Sequence, residues 1–139
     1  MVRQLSKLKY MDKKILIGNS FPLSLIRKNK VEIQEIPLES FKQHLINSEI
    51  FSFWGHRNTL KVAEQILGVC LEPRTERPAI ELNEMCLPTL YGESFDECWV
   101  LSPNYIQGFR PSIGEEVREE QILDWIVLKI NWIEELLDE

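Results

Sequence analysis

The sequence has few cysteines and no long apolar run. Its three cysteines, Cys70, Cys86 and Cys98, are odd in number and form no C-x-x-C pair. This pattern argues against a disulfide framework and a zinc site, and it suits a reducing cytoplasm. No window approaches the ~18 continuous apolar residues of a membrane span, and the first residues lack the apolar core of a signal peptide. We therefore expect a cytoplasmic protein with no membrane partner.

Several catalytic signatures are also absent. The chain contains no G-x-G-x-x-G, Walker-type, G-x-S-x-G or H-E-x-x-H pattern. Their absence argues against dinucleotide, nucleoside-triphosphatase, serine-hydrolase and zinc-peptidase chemistry. We expect no metal and no cofactor.

The charge is acidic overall and unevenly spread. The 139 residues carry a net charge of −6, but residues 1–30 alone carry +7. A net acidic chain is a poor binder of long nucleic acid, because phosphate neutralisation supplies most of that affinity. A small anionic ligand in a local basic pocket remains compatible with this charge. The length predicts a single domain over residues 13–139, preceded by a basic tail over residues 1–12.

Strands and helices alternate in the first half. The apolar patterns predict strands at 13–17, 31–36, 50–54, 79–82 and 98–101, and helices at 22–27, after Pro37 and at 60–67. Residues 72–77 are predicted as a loop and residues 83–96 as a long loop or an excursion, and Tyr105 to Phe109 either continue the last of these strands or pair with it. The C-terminal pattern fits either a helix or a strand, and we favour a helix near 118–125 followed by a strand near 127–133. The predicted fold class is α/β: a single small domain with a mixed, partly parallel sheet flanked by helices.

Two of the predicted strands end in polar turns that contain glycine and lead into helices. Residues 18–20 (Gly-Asn-Ser) follow the first strand, and residues 55–59 (Gly-His-Arg-Asn-Thr) follow the third. If these strands run parallel, both turns lie at the same edge of the sheet, where open α/β sheets bind ligands. Helix N-termini at that edge offer free N–H groups and a positive dipole end, which suit phosphate oxygens.

His56 and Arg110 are the candidate catalytic residues. His56 lies in a turn between strand and helix, where it is either a structural turn residue or a general acid, since imidazole changes protonation near neutral pH. Arg110 precedes Pro111 in a turn, where it is either a surface charge or a phosphate contact. Arg57 is more simply a surface charge, and Asn58 or Thr59 a helix cap. His44 is assigned no role, and the four tryptophans are attributed to packing.

Taken in order, these segments resemble the viral anti-CRISPR ring nucleases that act against type III systems, together with their bacterial and mobile-element relatives. Residues 18–25 are similar to the family's N-terminal L-x-N-x-F turn. Residues 53–59 and the apolar helix after them are similar to its Gly-His-acid-Ser/Asn-Thr block. Arg110, Gly114 and the Glu-rich segment that follows are similar to its third block. The resemblance covers most of residues 13–133.

The resemblance implies an activity. Such proteins are small α/β homodimers that bind one cyclic tetra-adenylate, the second messenger of type III CRISPR defence, across the two-fold axis. They cleave it without a metal, by attack of a ribose 2′-hydroxyl on the neighbouring phosphate, and so counter the defence. The family's histidine corresponds to His56 and its arginine to Arg110. The implied ligand-binding residues are Asn19, Ser20, Phe21, Gly55, Arg57, Asn58 and Thr59.

The chain departs from the family at defined positions. Arg57 stands where the family often has an acidic residue, and Pro22 stands at the position of a family serine. Ile113 stands at the position of a family glutamate, for which Glu115 is at most a stand-in. These departures favour an alternative, a non-catalytic sponge for a cyclic or adenine-containing nucleotide. The tryptophans and residues 83–97 are the basis of a further alternative, a protein-interaction module of a phage or mobile element. The sequence leaves the ring size and the choice among these functions open.

Overall fold

The computed structural model describes residues 13–20, 30–55, 57–71, 80–112 and 114–133. Within these residues the strands are β1 (Lys13–Gly18), β2 (Lys30–Glu35), β3 (Ser48–Ser52), β4 (Glu81–Leu82), β5 (Pro88–Leu90), β6 (Glu93–Ser94), β7 (Glu97–Tyr105) and β8 (Ile122–Ile133). The helices are α1 (Leu38–Leu45) and α2 (Arg57–Leu67), and a single 3-10 turn spans Glu119–Gln121.

The main sheet has five strands in the order β2-β8-β7-β1-β3. β1 pairs in parallel with both β3 and β7, whereas β8 pairs antiparallel with both β2 and β7. The sheet is therefore mixed and partly parallel, which confirms the predicted α/β class. Because β1, β3 and β7 run the same way, their carboxyl ends define one edge of the sheet, called the carboxyl edge below.

Alternating side chains of the sheet build a core on each face. Ile15, Ile17, Trp99 and Leu101 pack with residues of both helices, including Phe41 and Ala63, on one face. Leu16 and Val100 point to the other face. The central strand β1 is apolar on both faces, as expected for a strand covered on both sides.

A small sheet in the order β4-β5-β6 covers the second face. Leu90 and Phe95 are buried there with Leu16 and Val100 of the main sheet. The prediction that residues 83–96 form a long loop is thus wrong, because this segment contains β5 and β6. Strands of two or three residues are too short to show an alternating pattern, and Pro88 at the start of β5 suggested a turn.

The helix predicted near 118–125 is also wrong. After the 3-10 turn the chain forms one strand, β8, from Ile122 to Ile133. β8 has a strand on both sides over residues 128–130, and its apolar residues occur on both faces. That distribution can be mistaken for helical spacing in a short apolar stretch.

Some predictions concern residues outside the described ranges: the tail at 1–12, the helix at 22–27 and the loop at 72–77. Within the described ranges, none of the helices has the length and apolar character needed to cross a membrane. Trp54 and Trp99 are buried in the core at 0% and 3% exposure, which confirms the packing role predicted for these two tryptophans.

Candidate functional site

The two predicted turns meet at the carboxyl edge. β1 and β3 are in parallel register from Lys13↔Ser48 to Ile17↔Ser52, and the pairing continues where the Phe53 amide donates to the Ile17 carbonyl at 2.9 Å. Two residues further along each chain segment, the Gly55 amide donates to Asn19 Oδ1 at 2.8 Å. A side chain of the first turn therefore holds the backbone of the second.

Gly18 allows this close approach. A Cβ at this position would overlap the ring of Phe53, a side chain only 6% exposed. A Cβ added to Gly55 would meet no atom nearer than Asn19 Oδ1, at 3.8 Å. Glycine is thus required by packing at Gly18 but not at Gly55.

The second turn is anchored in the core through Trp54. Its backbone amide donates to Ser52 Oγ at 2.9 Å, and its indole Nε1–H donates to Thr59 Oγ1 at 3.2 Å. Trp54 is fully buried and Thr59 is 4% exposed. The structure therefore gives the Thr59 hydroxyl a contact inside the protein, and its predicted ligand contact stays a prediction.

α2 begins at the second turn. Arg57 is the first residue of the helix and is exposed to solvent, and Asn58 is half-buried behind it. Asn58 and Thr59 lie within the first turn of α2 rather than before it, so neither occupies the predicted cap position. Because α2 follows the carboxyl end of β3, its first turn lies near the carboxyl edge, and the phosphate contact of its amide groups stays a prediction.

The loop after β7 returns to the same place. Because β7 is parallel to β1, it delivers residues 106–118 to the carboxyl edge. The Ile106 amide donates to the Gln121 carbonyl at 3.0 Å, and the rings of Tyr105 and Phe109 meet edge to face at 5.4 Å. Arg110 follows this anchored start and is exposed.

A second link ties the end of this loop to α2. Val117 is 2% exposed, and its amide donates to the Asn58 carbonyl at 2.8 Å. Glu115 closes a local turn, because its Oε1 accepts the Ser112 amide at 2.9 Å. The carboxylate of Glu115, the acid that could stand in for the family's glutamate, is therefore engaged within its own loop.

The structure thus unites part of the predicted set. Hydrogen bonds connect the segments that contain Asn19, Gly55 and Asn58, while Ser20 and Arg57 lie exposed beside them. None of those bonds includes Arg110. The remaining predicted residues, His56 and Phe21, lie outside the described residues, as does Ile113.

A polar groove of about 260 Å³ lies between α2 and residues 116–120. Its lining includes Glu116, Glu119 and Glu120 against Lys61 and Arg118. Three carboxylates against two cations disfavour a phosphate ligand in the groove itself. Arg57 and Arg110 are exposed cations outside the lining of this groove, and their contacts with the ligand stay predictions.

Sequence reasoning missed a cluster at the opposite edge, where β7 begins. Glu97 is 8% exposed, and its Oε1 accepts the Trp99 indole N–H at 2.7 Å and lies 2.6 Å from His44 Nε2. Lys13 Nζ donates to Oε2 at 3.1 Å. Burial acts to raise the pKa of Glu97, but the hydrogen bonds from Trp99, His44 and Lys13, with the charge of His44, outweigh it and lower the pKa. No sequence signal links His44 to a carboxylate 53 positions away.

Metal binding finds no support in the described ranges. These residues contain no group of three or more histidine, cysteine, aspartate or glutamate side chains that could hold an ion. The Cys98 thiol is buried, and that burial raises its pKa far above the ordinary range. Cys98 is therefore a core residue without nucleophilic character.

Comparisons with known proteins support the fold. No protein-family model and no curated protein matches the chain, whereas eight chains among the solved structures do. One of these is protein B116 of Sulfolobus turreted icosahedral virus. It superposes with a TM-score of 0.54 at 14% sequence identity, over 84% of this chain and 97% of the viral chain. The chain therefore shares the fold of a virus protein over almost the full length of that protein.

Proposed function

We propose that this protein is a metal-independent ring nuclease that binds cyclic tetra-adenylate at the carboxyl edge and cleaves it to counter type III CRISPR signalling. The observation that carries the proposal is the Asn19–Gly55 hydrogen bond at 2.8 Å, which joins the two turns that the family resemblance identifies. The third segment of the resemblance reaches the same place through the contact of Val117 with Asn58. The shared fold of a virus protein is consistent with a viral or mobile-element origin.

The chemistry follows from the ligand. RNA carries its own nucleophile, so the protein has to align a ribose 2′-oxygen in line with the departing 5′-oxygen, and such positioning can contribute up to ~7–11 kcal/mol. His56, in its cationic form, would donate a proton to the leaving oxygen, an effect worth roughly 10²–10⁴-fold. Arg110 and the amides of the first turn of α2 would stabilise the charge that develops on the phosphorus centre.

The ligand's symmetry predicts the assembly. Cyclic tetra-adenylate has two-fold symmetry, which pairs naturally with a two-fold homodimer. Each protomer would then contribute one carboxyl edge to a shared site. Titration calorimetry should give one ligand per two chains, and light scattering should show a dimer.

The sponge is the second candidate, and a specific observation favours it. Glu115 is the acid that could stand in for the family's glutamate, and its carboxylate is bonded to the Ser112 amide. Arg57 is exposed where the family often has an acid. An arginine at one of these positions and an engaged carboxylate at the other suit binding of a polyanion without turnover.

One experiment separates these functions. The protein is incubated with cyclic tetra-adenylate in EDTA, its melting temperature is recorded, and the mixture is resolved by chromatography with mass detection. A nuclease gives linear products. A sponge gives intact ligand and a higher melting temperature, by roughly 5–10 °C when the free ligand is ~100 times its Kd. An unchanged melting temperature and an intact ring would reject both and leave the protein-interaction module.

The arginine assignment has a matched control. Arg110→Gln and Arg118→Gln remove the same charge from the same exposed loop, but Arg118 lines the acidic groove. We expect Arg110→Gln to lower cleavage by roughly 10²-fold or more and Arg118→Gln to lower it little. Equal losses in the two variants would mean that overall charge, and not a placed guanidinium, attracts the ligand.

A further inference from the structure

The attachment of α1 to the sheet depends on a small number of contacts. α1 has eight residues, and no side chain caps its N-terminus at Pro37. A helix this short has little stability of its own in water. Its buried residues are Phe41 and Leu45, and the ring of Phe41 stacks on Trp99 with centroids 4.4 Å apart. The position of α1 therefore depends on what it meets at the amino end of β7.

The polar part of that attachment includes two contacts. Among the described residues, His44 Nε2 lies 2.6 Å from Glu97 Oε1, and Ser48 Oγ of β3 donates to the His44 carbonyl at 3.2 Å. The first of these depends on the ionisation of a carboxylate. The His44 ring also lies 5.5 Å from the Trp99 ring. Glu97 thus holds α1 through His44 and holds Trp99, on which α1 packs.

Charged side chains from three elements surround this carboxylate. Lys13 projects from β1, His44 from α1 and Lys129 from β8, with Lys129 Nζ 5.7 Å from the Trp99 ring centroid. Asp96, the acid next to Glu97, accepts the Lys14 amide at 2.8 Å and so has its own partner. The surroundings of Glu97 are therefore rich in donors, which stabilise the ionised form.

Protonation of Glu97 would disturb this arrangement. A carboxylate accepts from all three donors, whereas a carboxylic acid brings a proton of its own and accepts less strongly. Trp99 is fixed in the core at 3% exposure and cannot withdraw. The side chains of Lys13 and His44 are 44% and 34% exposed and can turn to water. Loss of the His44 contact weakens the attachment of α1, which then depends on the buried Phe41 and Leu45 and on the Ser48 contact.

We propose that the contact of His44 with Glu97 is an acid-released latch, which detaches α1 from the sheet before the sheet itself unfolds. The latch lies at the edge opposite the candidate site, and the inference does not depend on the proposed nuclease activity. The direction of the pH dependence follows from Glu97, whose pKa in the folded protein is lowered from 4.5. The His44 contact is fully formed above pH 4.5, and it is lost as the pH falls through the lowered pKa of the folded state.

Hydrogen exchange of the full chain tests the latch. Protection factors, which correct for the intrinsic pH dependence of exchange, are measured for amides of α1 and of β1 from ~pH 7 down to ~pH 3. We expect α1 protection to fall at least tenfold while β1 remains protected. In Glu97→Gln, α1 protection should already be low at neutral pH and change little on acidification. Loss of α1 and β1 protection together, or full α1 protection in Glu97→Gln, would overturn the proposal.

Indole resonances give a second readout, which needs no Glu97 variant. The Trp99 N–H is bonded to Glu97, whereas the Trp54 N–H donates to Thr59 Oγ1 near the carboxyl edge and serves as an internal reference. The Trp99 signal should move over the pH range in which α1 loses protection, and the Trp54 signal should not. If Glu97→Gln does not fold, His44→Gln takes its place, with Lys42→Gln as a control on the exposed side of α1. Equal α1 protection in His44→Gln and Lys42→Gln would count against the latch.

Discussion

Gly18→Ala is the substitution that best tests how the carboxyl edge is built. The new Cβ would overlap the Phe53 ring, which is 6% exposed and has no room to withdraw. Overpacking of this kind typically costs about 1–3 kcal/mol. Replacing glycine by alanine also restricts the unfolded chain, which returns about 0.4–1 kcal/mol. We therefore expect a net loss of about 1–2 kcal/mol.

Gly55→Ala is the matched control. The same Cβ meets only Asn19 Oδ1 there, at the ordinary contact distance of 3.8 Å. Only the unfolded-state effect remains, so Gly55→Ala should be neutral or stabilising by up to about 1 kcal/mol. Urea unfolding at unchanged m-value measures both variants. Equal stability of Gly18→Ala and wild type, or equal destabilisation by both substitutions, would refute the packing argument.

Three further predictions follow from the described contacts. Glu97→Gln should lower the free energy of unfolding at pH 7 by about 2–3 kcal/mol, because a buried charged acceptor is lost. The difference in stability between wild type and variant should shrink as the pH falls below 4.5, since Glu97 stabilises the fold only while it is ionised. A stability difference that persists in acid would contradict this reasoning. Asn19→Ala should cost at most about 1 kcal/mol of stability, because its bond to Gly55 is exposed. It should nevertheless abolish ligand-induced stabilisation, whereas Asn104→Ala, at an exposed position of β7, should leave that stabilisation intact. An equal ligand response in the two variants would contradict ligand binding at the joined turns. A thiol reagent should modify the exposed Cys70 in the native protein and the buried Cys98 only after unfolding. Peptide mapping locates the modified cysteine, and modification of Cys98 before unfolding would contradict its burial in the core.

Much of the first half of the fold was predictable because its patterns are long and local. β1 was predicted at 13–17 and is observed at Lys13–Gly18, and the third predicted helix corresponds to α2 at Arg57–Leu67. The polar turns after β1 and β3 could be placed at one edge because parallel strands share a carboxyl edge. The bond between Asn19 and Gly55 confirms that these turns lie together.

The remaining features depend on partners distant in the chain. β5 is a strand because Leu90 packs with Leu16 and Val100, and β6 is a strand because it pairs with β5, not because their own residues alternate. β8 is a strand because β7 and β2 pair with it. Glu97 and His44 meet only after α1 has packed on the sheet. Local periodicity carries no information about such pairings.

The proposed nuclease mechanism is tested most directly by the single-turnover cleavage of cyclic tetra-adenylate in EDTA by wild type, His56→Ala, and His56→Ala with added imidazole. The account predicts linear products from wild type, a fall of roughly 10²–10⁴-fold in the variant, and partial recovery when imidazole supplies the missing acid. An intact ring after long incubation with excess wild-type protein would contradict it, and so would full activity of His56→Ala.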